Sequence, residues 1–324
     1  MKHLIQNTHF VVGGRIRPIG GPKLHLRNYL DKSALPVPPS SIDYTSKAQA
    51  SLSQMFGNDS VGDCVIAGGN HIVGVETGNT GNCFVPTTAQ VLSEYSAITG
   101  YNPNDPYTDQ GCNEQTAFAY WMKHGFLNGT KLLGWIGVDA TNQTEVEQAC
   151  YLFENLFFGI ELPDKWVNPF PSGTGFTWDV AGNPDPENGH CIIGAGYNNS
   201  GVTIATWGMT GNLTWNALKK YCIAKNGGEL YVLLTPDQIA KGQSKAPNGI
   251  DWSELIGDFN SLGGNVPLPV NPPTPVPPTP ISQVTLAQAE DWAISKFNES
   301  SLSKFSKSQI KTYINRGLST NWPK

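Results

Sequence analysis

Two residues far apart in the chain, Cys64 and His190, have the types and surroundings needed for thiol-based acyl transfer. Cys64 follows Val61-Gly62-Asp63 and opens a helix-like run. At a helix start the dipole and the unpaired amides favour a thiolate. His190 ends the loop Pro184-Asp185-Pro186-Glu187-Asn188-Gly189 and opens a glycine-rich strand-like run. A thiolate attacks a carbonyl carbon, while an imidazole first takes the thiol proton and then protonates the leaving group. Asn58, six residues before Cys64, can donate its side-chain amide to the oxyanion, beside the N–H of Cys64 itself.

Plainer roles exist for each residue. Cys64 could be a buried structural thiol, since free cysteine is among the most buried residue types. Asn58 could be an ordinary turn residue, and His190 a surface histidine at a strand end. Asp63 could raise the thiol pKa by like-charge repulsion or cap the helix; the cap is the preferred expectation. His71 is the rival base, but two helical turns would place it ~10 Å away, too far for direct proton transfer.

The elements that must position these groups fall into two halves. The spacing predicts helices over 64–78, 86–98 and 113–124, with Gly125 as a stop, and a fourth begun by a Thr144–Glu147 capping box. Gly68, Gly69 and Gly74 weaken the first, so tight packing must compensate. Strands are expected over 156–162, 190–197, 202–207 and 229–234, with Asn198-Asn199-Ser200-Gly201 as a hairpin turn. Helices followed by strands predict an α+β domain with a cleft between the halves.

Four regions are expected. Residues 1–40, rich in Gly and Pro, form an extended arm; 41–262 are the main domain; 263–282 are a Pro-rich linker; 283–324 are a small basic unit of two helices. That unit carries +3 against −8 for the remainder, which suggests a tether to an anionic surface, although a hairpin docked on its own chain fits as well.

The 324-residue chain has a net charge of −5 and a charged fraction of 15%. This argues against nucleic-acid binding by the main domain and against a coiled coil. No apolar run reaches membrane-span length, and the N-terminus lacks a signal-type apolar stretch. A soluble protein is expected, with its compartment open. The spacings Cys-x-x-Cys and His-x-x-x-His do not occur, so neither a metal nor another cofactor is expected. Six cysteines leave the redox compartment undecided.

The ordered landmarks resemble the papain-like cysteine peptidases, as a divergent member, over roughly residues 40–235. They are Ser40-Ser41-Ile42-Asp43-Tyr44, the Asn58-to-Cys64 spacing, Gly111-Cys112-Asn113, Asn188-Gly189-His190 and Thr206-Trp207-Gly208. The resemblance implies a two-lobed fold, helical on one side and β-barrel-like on the other. It implies a thiol protease, a hydrolase of peptide or protein substrates. Cys64 would be nucleophile, His190 base and acid, Asn58 oxyanion donor, and Trp207 a shield for the histidine.

The departures support an alternative, a catalytically inactive scaffold with a binding or structural role. The histidine-orienting Asn of the family falls on Ala205. The family's bridge to the position of Cys112 lacks its usual partner, for which Cys83 is a conceivable substitute. The 40 residues ahead of the domain are shorter than the family's inhibitory pro-segment.

Overall fold

A computed structural model describes residues 13–262. Within them the chain forms β1 (Ile42–Asp43), α1 (Gln49–Leu52), α2 (Cys64–Asn79), α3 (Thr88–Thr99), α4 (Glu114–His124), β2 (Gly134–Gly137), α5 (Gln143–Phe153) and β3 (Leu156–Glu161). It continues through α6 (Asp164–Val167), β4 (Phe176–Trp178), β5 (Gly189–Asn198), β6 (Gly201–Thr206), β7 (Met209–Thr214), α7 (Trp215–Tyr221), β8 (Glu229–Leu234), α8 (Pro236–Lys245) and α9 (Trp252–Ser261). The expected linker at 263–282 and basic unit at 283–324, with its anionic-surface reading, lie outside the described residues. So do residues 1–12 of the arm.

Local chemistry explains most element boundaries. Thr87 and Gln90 form a reciprocal capping box on α3, and Asn113 accepts two amide hydrogen bonds at the start of α4. The fourth helix starts earlier than the expected box: Asn142, not Thr144, caps α5 by accepting from Glu145 N–H. The second half, read as strand and turn, also holds α7, α8 and α9, together with the short strands β4 and β7. Thr214 and Thr235 cap α7 and α8, and Pro236 opens α8.

Helix α2 is buried on nearly all sides. This explains why glycines are tolerated at its centre: a Cβ on Gly69 would overlap the Trp121 ring, and one on Gly68 would lie 3.1 Å from Cys191 Sγ. The glycines let the helix lie directly on α4 and β5, and this packing offsets their poor helix propensity.

The sheet order is β2-β8-β3-β5-β6-β7-β4, with β1 added to β5. Its pairs are antiparallel except for β4 with β7. The terminal strands β2 and β4 are not paired to each other, so the path is an open sheet. Period-two alternation sends Phe157, Cys191, Ile193, Ala205 and Tyr231 to one face, against α2 and α4. Phe158, Ile160, Ile192, Ile204 and Val232 go to the other, against α5 and the later helices. Both faces of β3 and β5 are covered, so their sequences read as continuous apolar runs rather than alternating ones.

Part of the arm belongs to the core. Leu26 and Tyr29 are buried in the second cluster, and Tyr29 Oη donates to Asp258 Oδ2 at 2.8 Å. No helix among the described residues is long and apolar enough to cross a membrane.

Candidate active site

Cys64 is the first residue of α2, and Asp63 stands at its N-cap. The Cys64 thiol is 2% exposed and accepts a hydrogen bond from the backbone N–H of Cys191. That contact brings the start of α2 to the start of β5, where His190 sits one residue before Cys191. The two residues singled out in the sequence therefore come from elements that meet across the two halves.

His190 is fully buried. Its Nε2 lies 2.7 Å from Thr206 Oγ1, and its ring stacks on Trp207 with centroids 4.3 Å apart and planes 21° from parallel. The Nδ1 atom is buried with no hydrogen-bond partner. In the tautomer that carries its proton on Nε2, that proton is directed at Thr206 and Nδ1 presents a free lone pair; in the other, the Thr206 hydroxyl donates to Nε2. Burial lowers the His190 pKa to about 3 and raises that of Cys64. Both groups rest uncharged at neutral pH.

Trp207 and Gly208 make the two-residue β6–β7 turn, with φ of 49° and 68° and Thr206 paired to Met209. A bulky residue at positive φ is uncommon. Here the turn lays the indole over His190 and puts the Thr206 hydroxyl at the other edge of the ring. The sequence reading used Thr206 only as part of the Thr206-Trp207-Gly208 landmark and looked for an orienting amide at Ala205. The one signal was a hydroxyl-bearing residue next to that alanine.

Asn58 and Cys64 line one cavity of about 10 Å³ together with His71, Ala205, Thr206 and Trp207, room for about one water molecule. One N–H of the Asn58 amide donates to Val61 O at 3.1 Å. His71, set aside as too distant, reaches this same cavity. It lies on the Phe56 ring at 4.7 Å, with Nδ1 3.5 Å from Ser51 Oγ, and burial lowers its pKa to about 4.

Asp63 corrects the expected cap. It occupies the N-cap position, but its side chain makes no capping bond, and neither carboxyl oxygen has a partner in hydrogen-bond geometry. Burial raises its pKa well above the usual carboxylate range, only partly opposed by the nearby Asn58 amide. Asp63 therefore does not cap the helix through its side chain, and its proximity adds to burial in raising the Cys64 pKa. The loop before it is pinned instead by Asp109, which accepts from Gly62 N–H at 3.1 Å and from Tyr95 Oη at 2.7 Å.

The arm lies across this site. Gly13 and Arg15 donate their backbone N–H groups to Gly189 O at 2.9 and 3.2 Å, one residue before His190. On the other side Ile16 N–H donates to Cys112 O and Cys112 N–H to Gly14 O, at 2.9 and 2.8 Å. Gly14 passes so close to the backbone of Gly62 that a Cβ would lie 2.6 Å from its carbonyl oxygen. Residues 13–16 thus bridge both lips beside Cys64 and His190. All six cysteines are free thiols, Cys83 and Cys112 included. No group of three or more potential metal ligands occurs among the described residues.

No protein-family model matches the sequence, and no curated protein sequence matches it. Among solved structures, xylellain, a cysteine protease from Xylella fastidiosa, is 14% identical with a TM-score of 0.53, over 70% of this chain and 96% of that one. The digestive procathepsin L2 proteinase of the Tenebrio molitor larval midgut is 13% identical with a TM-score of 0.44, over 69% and 78%. The proform of the Amb a 11 cysteine protease, a ragweed pollen allergen, is 14% identical with a TM-score of 0.46, over 66% and 71%. The fold is that of the papain-like cysteine proteases, in a divergent form. The likeness to xylellain carries that conclusion, and at this identity it concerns the fold.

Proposed function

We propose that the protein is a cysteine-dependent hydrolase of peptide or other amide bonds, acting on peptide or protein substrates. One observation carries the reading. Thr206 engages Nε2 of a neutral His190, Nδ1 is left without a partner, and Thr206 shares its cavity with Cys64. This is the arrangement of a base with its orienter in place and its acceptor atom free.

In this scheme Nδ1 takes the Cys64 proton and the sulfur attacks the substrate carbonyl carbon. The Asn58 amide and the Cys64 N–H stabilise the oxyanion, worth ~10²–10³ in rate per donor. The His190 imidazolium then protonates the departing amine. Water, deprotonated by His190, hydrolyses the thioester and restores the thiol. Thr206 fixes the ring without supplying charge, and Trp207 screens it from solvent.

The arm is a cover that must lift before substrate enters, which accounts for the uncharged resting pair. Peptide release from unfolded casein by the full-length protein, followed by mass spectrometry, tests the proposal. Cleavage lost in Cys64→Ala supports it. Cleavage that persists in Cys64→Ala, or none in wild type and in an arm-released variant, defeats it and leaves a scaffold of the same fold.

A further inference from the structure

The arm places a guanidinium in a buried socket beside the site. The Arg15 side chain is fully enclosed. Its Nε donates to Glu114 Oε1, its Nη1 donates to Gly227 O at 2.8 Å, and its Nη2 lies 3.7 Å from Glu229 Oε1. Glu114 opens α4, Glu229 opens β8, and Gly159 of β3 forms the floor. A Cβ on Gly159 would overlap both Arg15 Nε and Glu114 Oε1. The socket is therefore shaped, as well as charged, for a planar forked cation.

The carboxylates Glu114 and Glu229, with Glu161 nearby, find their cations on the arm. Glu114 and Glu229 pair with Arg15, and Glu161 lies 3.9 Å from Arg17. Glu114 keeps a second buried oxygen without a hydrogen-bond partner. When the arm lifts, these acids lose their partners while the socket stays beside His190. Leaving a buried carboxylate unpaired is costly: burial raises the pKa values of Glu114 and Glu229, and without the guanidinium that holds them down both acids are driven to take up protons. An incoming chain that brings its own guanidinium removes that cost.

We propose that the Arg15 socket is the selectivity pocket of the protein and that it selects peptide chains carrying arginine. The inference rests on the hydrolase reading for its role in turnover, but not for binding. A substrate chain lies along Gly189 O and Cys112, as the arm does, and sends an arginine between Glu114 and Glu229. The arm is then the first occupant of a pocket meant for exchange.

Full-length Arg15→Ala vacates the socket and tests this by calorimetry with N-acetyl-arginine amide and its neutral isostere N-acetyl-citrulline amide. The arginine amide is expected to bind saturably, with citrulline weaker by about tenfold or more, as for hydrogen bonds to charged groups. Adding Glu229→Gln is expected to weaken arginine amide binding by a similar factor. A folded Arg15→Ala protein that binds neither probe, or both equally, overturns the proposal. Should that variant not fold, Gly14→Val lifts the arm by steric clash and leaves the socket intact.

A peptide library then separates this inference from the hydrolase reading. Cleavage enriched at least about tenfold for arginine-bearing peptides supports both. Cleavage indifferent to arginine overturns the socket alone. Arginine binding without any cleavage upholds the socket as a binding site and removes the hydrolase.

Discussion

Thr206 Oγ1 lies 2.7 Å from Nε2 of His190 and takes the orienting position that the sequence left to Ala205. A hydroxyl holds the ring in place without bringing a negative charge, and it can pair with Nε2 as acceptor or as donor. Burial keeps the imidazole neutral, and Nδ1 has no hydrogen-bond partner.

Thr206→Val removes the hydroxyl at nearly constant volume. Replacing a buried carboxylate orienter costs ~10⁴ in rate, and a neutral hydroxyl should cost less, about 10- to 100-fold in kcat with KM little changed. Thr206→Ser is expected to restore most of it. Steady-state kinetics on a cleaved peptide decide the matter; an unchanged kcat in Thr206→Val would remove Thr206 from the site.

Gly14→Val should dislodge the arm, because a Cβ there meets the Gly62 backbone. In wild type, iodoacetamide should reach Cys83 first, since Cys83 is partly exposed and the other five thiols are buried. In Gly14→Val, Cys64 should label markedly faster, and His190→Ala in that background should abolish the gain. Peptide mapping by mass spectrometry follows each thiol. Equal Cys64 labelling with and without the arm substitution would contradict the cover.

Asn58→Ala removes a proposed oxyanion donor, and kcat should fall by ~10²–10³. The amide also holds Val61 O at 3.1 Å, so the melting temperature should be measured in parallel. A loss of stability with kcat intact would assign Asn58 to the loop instead of the chemistry.

His190 and His71 have folded pKa values lowered to about 3 and about 4 by burial. Between these values and the unfolded value of about 6.5 the unfolded chain binds more protons. Their contribution to stability is therefore full above pH 6.5 and shrinks as pH falls, by about 1.4 kcal/mol per histidine per pH unit. Glu76 and Glu229, raised to about 7, act oppositely: they favour the fold at low pH and lose that effect as pH rises through 7. Comparing urea unfolding of wild type and His71→Phe at pH 4.5, 5.5 and 6.5 isolates one histidine. The stability difference should move in favour of the variant as pH falls; a difference independent of pH would mean that His71 is not held neutral.

Helix starts and strand runs were legible because their signals are local. Asn113 before α4, the hairpin turn after Asn198, and the apolar stretches of β3, β5, β6 and β8 each state their structure within a few residues. Helices α7 to α9 were missed although local signals mark them: Thr214, Thr235 and Asp251 cap their starts, and Pro236 opens α8. Asp63 read as a cap because its position is right; its burial depends on Gly57, Leu92 and the loop around them, which no local pattern announces.

By itself the sequence determined which side chains were available for chemistry and where in their elements they fall: a thiol opening a helix, an imidazole opening a strand, an amide six residues before the thiol. Only the tertiary structure decided that Thr206 rather than an amide holds the imidazole, that residues 13–16 lie across both lips, and that Arg15 fills a pocket lined by Glu114 and Glu229. Those relationships join residues up to 214 positions apart. They come from sheet register and the meeting of two hydrophobic clusters, which are properties of the whole packed chain.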